Sequence, residues 1–239
     1  MPSENITIVG PAGRSIPAAL ALPASTPAAG VIVIHEAFGL NRDIREKAER
    51  MAEMGYVAVA PDLLAGRGPM PLCIMRVMRD LGDPAAPAWG DLEAARAYLA
   101  AHSAVDCSRL GVIGFCMGGG FALLFGARAP VGAAAVFYGA VPKDTSELDG
   151  VCPVVAGFGG RDRVFAKQAA LLEQALEQCG IDHDIRVYPD AGHSYMSVHH
   201  GLMAKLNSWG PMKLGFNPEA ADDSWRRVET FFAAHLGAG

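Results

Sequence analysis

The sequence predicts an α/β fold, a mostly parallel central sheet with helices on both faces and an antiparallel hairpin at the N-terminus. Three observations predict it. Short apolar runs such as Val31-Ile32-Val33-Ile34 read as strands buried on both faces. They alternate with segments whose apolar residues recur at helical spacing. A chain of 239 residues, 51% of them hydrophobic, lies in the range where such a fold forms one domain, expected here over residues 1–239.

The elements follow in order. Ile6 to Val9 and Ile16 to Leu22 flank Gly10-Pro11-Ala12-Gly13, a turn signal, and read as the hairpin. Val31 to Ile34 is the first fully buried strand. Asn41 caps a helix from Arg42 to Met54, with Ile44, Ala48 and Met51 on one face and Gly55 as its stop. Val57 to Ala60 is the next strand. A helix near Asp91 to Ala101, a strand Leu110 to Ile113, a helix Met117 to Arg128 and strands Ala133 to Phe137 and Val154 to Phe158 continue the alternation. Phe165, Ala169, Leu172, Leu176 and Cys179 repeat at helical spacing before Gly180, and Ile185 to Tyr188 supplies one more strand. Asn217-Pro218 starts a last helix that carries Trp225, Val228 and Phe232 inward.

Composition narrows the function. Asp and Glu number 25 against 20 Lys and Arg, with no basic cluster, so no nucleic-acid partner is expected. Met1 to Gly10 holds no positive charge and no apolar run, which points to a cytoplasmic location. Leu110 to Ala127 is uncharged, but its glycines suit a buried strand turning into a buried helix, so no membrane span is expected. The 5 cysteines are scattered without a C-x-x-C pair, and read as reduced thiols. His193, His199 and His200 lack a neighbouring acidic or cysteine ligand, so the expectation is no metal and no cofactor. The chain is expected to act as a monomer or a small homo-oligomer.

Gly114-Phe115-Cys116-Met117-Gly118 stands at a predicted strand-to-helix junction and has the form of a nucleophile elbow with Cys in place of Ser. The glycines leave room for a strained turn, and a helix N-terminus favours thiolate. The plainer reading makes Cys116 a buried filler. An elbow nucleophile needs a base and an orienting acid from later in the chain. Asp162 follows one predicted strand and His193 follows another. Asp190 is the rival acid, but it lies in a Pro-Asp-Ala-Gly turn and fits a turn former. Asp162 could also be a mere cap for the Phe165 helix, though that would leave the triad incomplete. Glu36 follows a buried strand directly, where a carboxylate is costly unless paired or functional. The expected oxyanion donors are the backbone N–H groups of Ala37 and Met117. His35 receives no catalytic role.

Taken together, His35-Glu36-Ala37-Phe38-Gly39-Leu40, Ala60-Pro61-Asp62-Leu63, Asp91-Leu92-Glu93-Ala94-Ala95, Gly114-Phe115-Cys116-Met117-Gly118-Gly119, Gly160-Arg161-Asp162 and Ala191-Gly192-His193-Ser194 resemble the dienelactone hydrolase family of the α/β-hydrolase superfamily over nearly the whole chain. The resemblance implies an α/β-hydrolase fold, a Cys116–Asp162–His193 triad, and a Glu36 that contacts the resting thiol and accepts its proton. It implies a small ester or lactone as substrate and an acyl-enzyme on cysteine. One departure stands out. Members acting on a carboxylated lactone carry an arginine four residues after the histidine, and this chain has Ser197. Arg76 and Arg79 are the candidates for the family's other carboxylate-binding arginine. Tyr195, in the long connection from Ser194 to Phe216 with Met196, Met203, Trp209 and Met212, is expected to face substrate. A redox-responsive thiol protein and a non-catalytic ligand-binding module on the same fold are the alternatives. A thiol sensor has no need of His193 with Asp162.

Overall fold

A computed structural model describes residues 2–198 and 210–237. His199, His200, Met203 and Trp209 lie outside the described residues. Eight strands form one sheet: β1 (Glu4–Val9), β2 (Ser15–Ala21), β3 (Ala28–Ile34), β4 (Val57–Pro61), β5 (Val105–Phe115), β6 (Ala133–Phe137), β7 (Val154–Gly159) and β8 (His183–Tyr188). Their order is β1-β2-β4-β3-β5-β6-β7-β8. β2 pairs antiparallel with β1 and β4, and the other pairs are parallel. Among the described residues the α-helices are α1 (Arg42–Glu53), α2 (Met70–Asp80), α3 (Pro87–Ala101), α4 (Met117–Arg128), α5 (Gln168–Cys179) and α6 (Pro218–Leu236).

β3 shows why the apolar runs work as central strands. Ile32 and Ile34 enter the core shared with Leu92 of α3, Phe121 of α4 and Leu172 of α5. Val31 and Val33 enter the opposite core, with Ile44 and Met51 of α1 and Trp225 and Val228 of α6. Successive strand residues point to opposite faces, so a strand covered by helices on both sides has no polar face to show. The helix starts match their signals: Asn41 Oδ1 accepts from Ile44 N at 3.1 Å, and Asn217 Oδ1 from Ala220 N at 3.1 Å.

Several elements start earlier than the sequence reading placed them, α3 at Pro87 and β3 at Ala28 among them, and three differences have a clear cause. α2 was not anticipated, because its apolar residues split between buried Cys73 and Val77 and exposed Leu72, Met75 and Met78. Phe165 precedes α5 instead of opening it, since Asp162 Oδ1 ties the Val164 and Phe165 N–H groups into a turn at 2.9 and 3.1 Å. β5 begins at Val105, five residues early, with a register shift against β3 between Ala29 and Gly30.

Candidate active site

Each site residue follows the C-terminal end of a parallel strand, where open α/β sheets gather their chemistry. β5 ends at Phe115, α4 begins at Met117, and Cys116 is the single residue between them. Its backbone, φ 53° and ψ −115°, is one that a side chain rarely tolerates. The turn is held by Cys116 N donating to Phe137 O at 3.0 Å and by Gly119 N donating to Cys116 O at 3.0 Å. The flanking glycines are obligatory at this packing distance. A Cβ on Gly114 would lie 1.9 Å from Gly118 O, and one on Gly118 would lie 2.3 Å from Ile34 O. The half-exposed Cys116 thiol therefore stands at the N-terminus of α4, against the end of β3.

Asp162 follows β7 and His193 follows β8, and the fold joins them. His193 Nδ1 meets Asp162 Oδ2 at 2.6 Å, with both side chains buried. Asp162 is also the cap that the sequence allowed: its second oxygen takes the two backbone N–H groups of the following turn. The His193 ring lies 4.9 Å from Phe165 and 5.0 Å from Tyr138, centre to centre. Its backbone is clasped by the Gly210 to Gly215 segment, with His193 N donating to Met212 O at 2.8 Å. Nε2 makes no hydrogen bond of regular geometry among the described residues, and the Cys116 side chain lies within interaction range of the ring. Burial alone would depress the imidazole. Hydrogen bonding to Asp162 and Cys116, with the charge of the Asp162 carboxylate, outweighs it and raises the group to about 10.

Glu36, after β3, is 3% exposed and paired. Its Oε1 accepts from Tyr138 OH at 3.1 Å and from Ser197 Oγ at 2.7 Å. Tyr138 carries φ 43° at the end of β6, and Ser194, beside His193, carries φ 54°. With Cys116, these non-glycine residues place backbone strain on one rim of the sheet. Among the described residues, no acceptor takes the N–H of Ala37 or of Met117. Met117 is the first residue of α4, where the N–H has no intrahelical partner. His35 is structural. Its Nδ1 donates to Glu36 O at 2.6 Å, and Nε2 accepts from Leu63 N at 3.0 Å, roles that require the neutral ring. Burial lowers its pKa accordingly.

Of the expected substrate contacts, Tyr195 is taken up by the core. Tyr195 is fully buried, and its hydroxyl shares a hydrogen bond of 2.8 Å with Ser224 of α6, so it packs the core instead of facing a ligand. Arg76 and Arg79 line, with Asp80 and Asp83, a surface cavity of about 320 Å³. Ser197 is fully buried beside Glu36. A cavity of about 450 Å³ lies along the loop after β3, lined among others by Phe38, Leu40, Asp62 and Leu64. No group of three His, Cys, Asp or Glu residues suited to a metal occurs among the described residues. No described helix is long and apolar enough to cross a membrane.

Sequence reasoning missed Tyr138, Phe165 and Lys47. Tyr138 was legible as a polar residue at a strand end. Lys47 was legible as a cation on the apolar face that Ile44, Ala48 and Met51 define; its ammonium is buried, donates to Ser197 Oγ at 3.0 Å and pairs with Asp43.

Known proteins share this arrangement of elements. A Synechocystis protein is 33% identical over 227 residues, 86% of each chain. The carboxymethylenebutenolidase of Pseudomonas putida is 31% identical over 208 residues, 82% of this chain and 86% of its own. A dienelactone hydrolase structure from Anabaena variabilis superposes with TM-score 0.73 over 99% of this chain and 100% of its own, at 21% identity, a likeness of fold. The sequence profile of the dienelactone hydrolase family matches residues 16–236. An α/β-hydrolase sheet and a family match over nearly its full length lead to one assignment: the chain belongs to the dienelactone hydrolase family, and is a hydrolase of the ester and lactone type.

Proposed function

We propose that the protein cleaves a small ester or lactone through an acyl-enzyme on Cys116. The thiol proton passes to Glu36, and the thiolate adds to the carbonyl while the Ala37 and Met117 N–H groups receive the oxyanion. His193, held by Asp162, protonates the departing alkoxide. It then takes a proton from water as hydroxide attacks the thioester, and the released thiolate recovers its proton from Glu36. The observation that carries the reading is the His193 Nδ1 to Asp162 Oδ2 bond of 2.6 Å with Cys116 in range of the same ring. The raised imidazole supports the acid role, since a protonated ring is the donor that an alkoxide requires.

The substrate favoured is uncharged. Ser197 offers no cation, Arg76 and Arg79 stand beside Asp80 and Asp83, and Asp62 is among the groups lining the cavity next to the β3 loop. The test is a panel of aryl esters and small lactones, each with and without a carboxylate. Uncharged members are turned over at least as fast as their carboxylated partners, and Cys116→Ala abolishes turnover of both. A Cys116→Ala enzyme that keeps wild-type rates ends this reading.

A further inference from the structure

Lys47 projects from α1 into a polar chain that ends on the Glu36 carboxylate. Its ammonium, 5% exposed, is paired with Asp43 one turn earlier and lies 4.9 Å from the centre of the Phe115 ring. A buried lysine is expensive, and one acid satisfies part of the cost. The remaining contact is the informative one: Nζ donates to Ser197 Oγ at 3.0 Å, and Ser197 Oγ donates to Glu36 Oε1 at 2.7 Å. An ammonium can only donate, so it occupies a lone pair of the hydroxyl and leaves the hydroxyl proton for the carboxylate. Tyr138 OH adds a second donor to the same oxygen at 3.1 Å. Asp43 Oδ1 accepts from Val198 N at 3.2 Å, which fastens the Ser197 segment to the first turn of α1.

We propose that Lys47 is a positioning residue for the reaction at Cys116, acting through Ser197 to hold the Glu36 carboxylate ready for the thiol proton. The inference rests on the role given to Glu36 above. The step moves one proton, breaking S–H and forming O–H on Glu36, with the electron pair left on sulfur. Among the described residues, the ionisable groups linked to Glu36 include Tyr138 and, through Ser197, Lys47 of α1 with its partner Asp43; neutral His35 is its chain neighbour, with Asp62 at 3.7 Å from that ring, and His193, held by Asp162, lies 5.0 Å from the Tyr138 ring. Of these, Lys47 is the cation joined to Glu36 through a hydroxyl.

The experiment compares pH profiles of kcat and KM for an uncharged ester across wild type, Lys47→Met, Lys47→Arg, Ser197→Ala and Glu36→Gln, together with the rate of Cys116 alkylation. Lys47→Met lowers kcat about ten- to a hundredfold with KM little changed, the scale of a lost hydrogen bond involving a charged group. It moves the acid limb of kcat/KM up by about one pH unit and slows alkylation on the acid side. Lys47→Arg recovers most of the loss. Ser197→Ala, which leaves the Asp43–Lys47 pair in place, reproduces the shift and keeps the inference testable if Lys47→Met does not fold. An unmoved acid limb in a folded Lys47→Met or in Ser197→Ala overturns the inference while the role of Glu36 stands. A Glu36→Gln enzyme with the wild-type limb overturns the role of Glu36 itself.

Discussion

At the scale of single residues, Asp162 carries two tasks on one carboxyl group: one oxygen orients His193 and the other closes the turn before α5. Asn in its place keeps an oxygen for the turn but offers an amide to His193 Nδ1, which inverts the ring's donor pattern. Asp162→Asn is therefore expected to lose about 10³- to 10⁴-fold in kcat while its melting temperature changes little, checked by steady-state kinetics beside a thermal melt. His193 gives a linkage prediction. Its folded pKa, about 10, exceeds the unfolded value near 6.5, so the folded state holds the extra proton between those limits. The stability it contributes is full below the lower value and lost as the pH rises through the upper. The melting temperature of the wild type falls between pH 7 and 10 more steeply than that of His193→Gln. Such residues were legible to different degrees. Cys116, Asp162 and His193 could be read because turn chemistry and strand ends mark their places. Lys47 and Tyr138 join the site from elements that bear no chemical motif, and only packing reveals them.

At the scale of elements, the elbow works because α4 approaches β3 and β5 at backbone contact. Adding one methyl at Gly118 forces it against Ile34 O, a main-chain atom that cannot swing aside. Gly118→Ala is expected to destabilise by about 1–3 kcal/mol or more, the cost of overpacking a dense site, and to cut activity with it; denaturant melts and soluble yield check this. Asn41→Ala tests the capping argument, with an expected loss of about 1 kcal/mol and unchanged kcat. Periodicity and caps made α1 and α6 legible, and the glycine-flanked elbow marked the start of α4. α2 was not legible, because exposed Leu72, Met75 and Met78 share one short segment with buried Cys73 and Val77, so its apolar residues do not coincide with its buried ones. Phe165 misled for a related reason. It has the spacing of a core residue in α5 but turns to the His193 ring.

At the scale of the whole molecule, the sheet divides the interior into two cores, and buried charges lock its margins. Asp91 of α3, 1% exposed, pairs with Arg14 beyond the hairpin turn and with Arg67 Nη2 at 2.6 Å, while Arg67 Nη1 reaches Asp80 of α2 at 3.0 Å. Asp91→Ala removes the carboxylate that two guanidinium groups share, leaving Arg67 to Asp80 and Arg14 to the Ala65 carbonyl, and is expected to cost about 3–5 kcal/mol without moving the acid limb of the pH profile, as a melt and a pH series can check. The Asp91 motif was visible in the sequence as part of the family pattern. Its function as a clamp among hairpin, loop and two helices was not, because these partners are remote in the chain and carry no shared signature.

The strained backbone at Cys116, Tyr138 and Ser194 has an outcome that concerns durability instead of chemistry. Positive dihedrals of this kind cost on the order of 1–3 kcal/mol each in a residue with a side chain, and glycine escapes the penalty. Swapping the thiol-bearing residue for glycine should thus yield an inert protein that outlasts the native one on heating. Selection for heat resistance alone would drift toward glycine there, so under the proposed mechanism the chain keeps its sulfur at the expense of endurance.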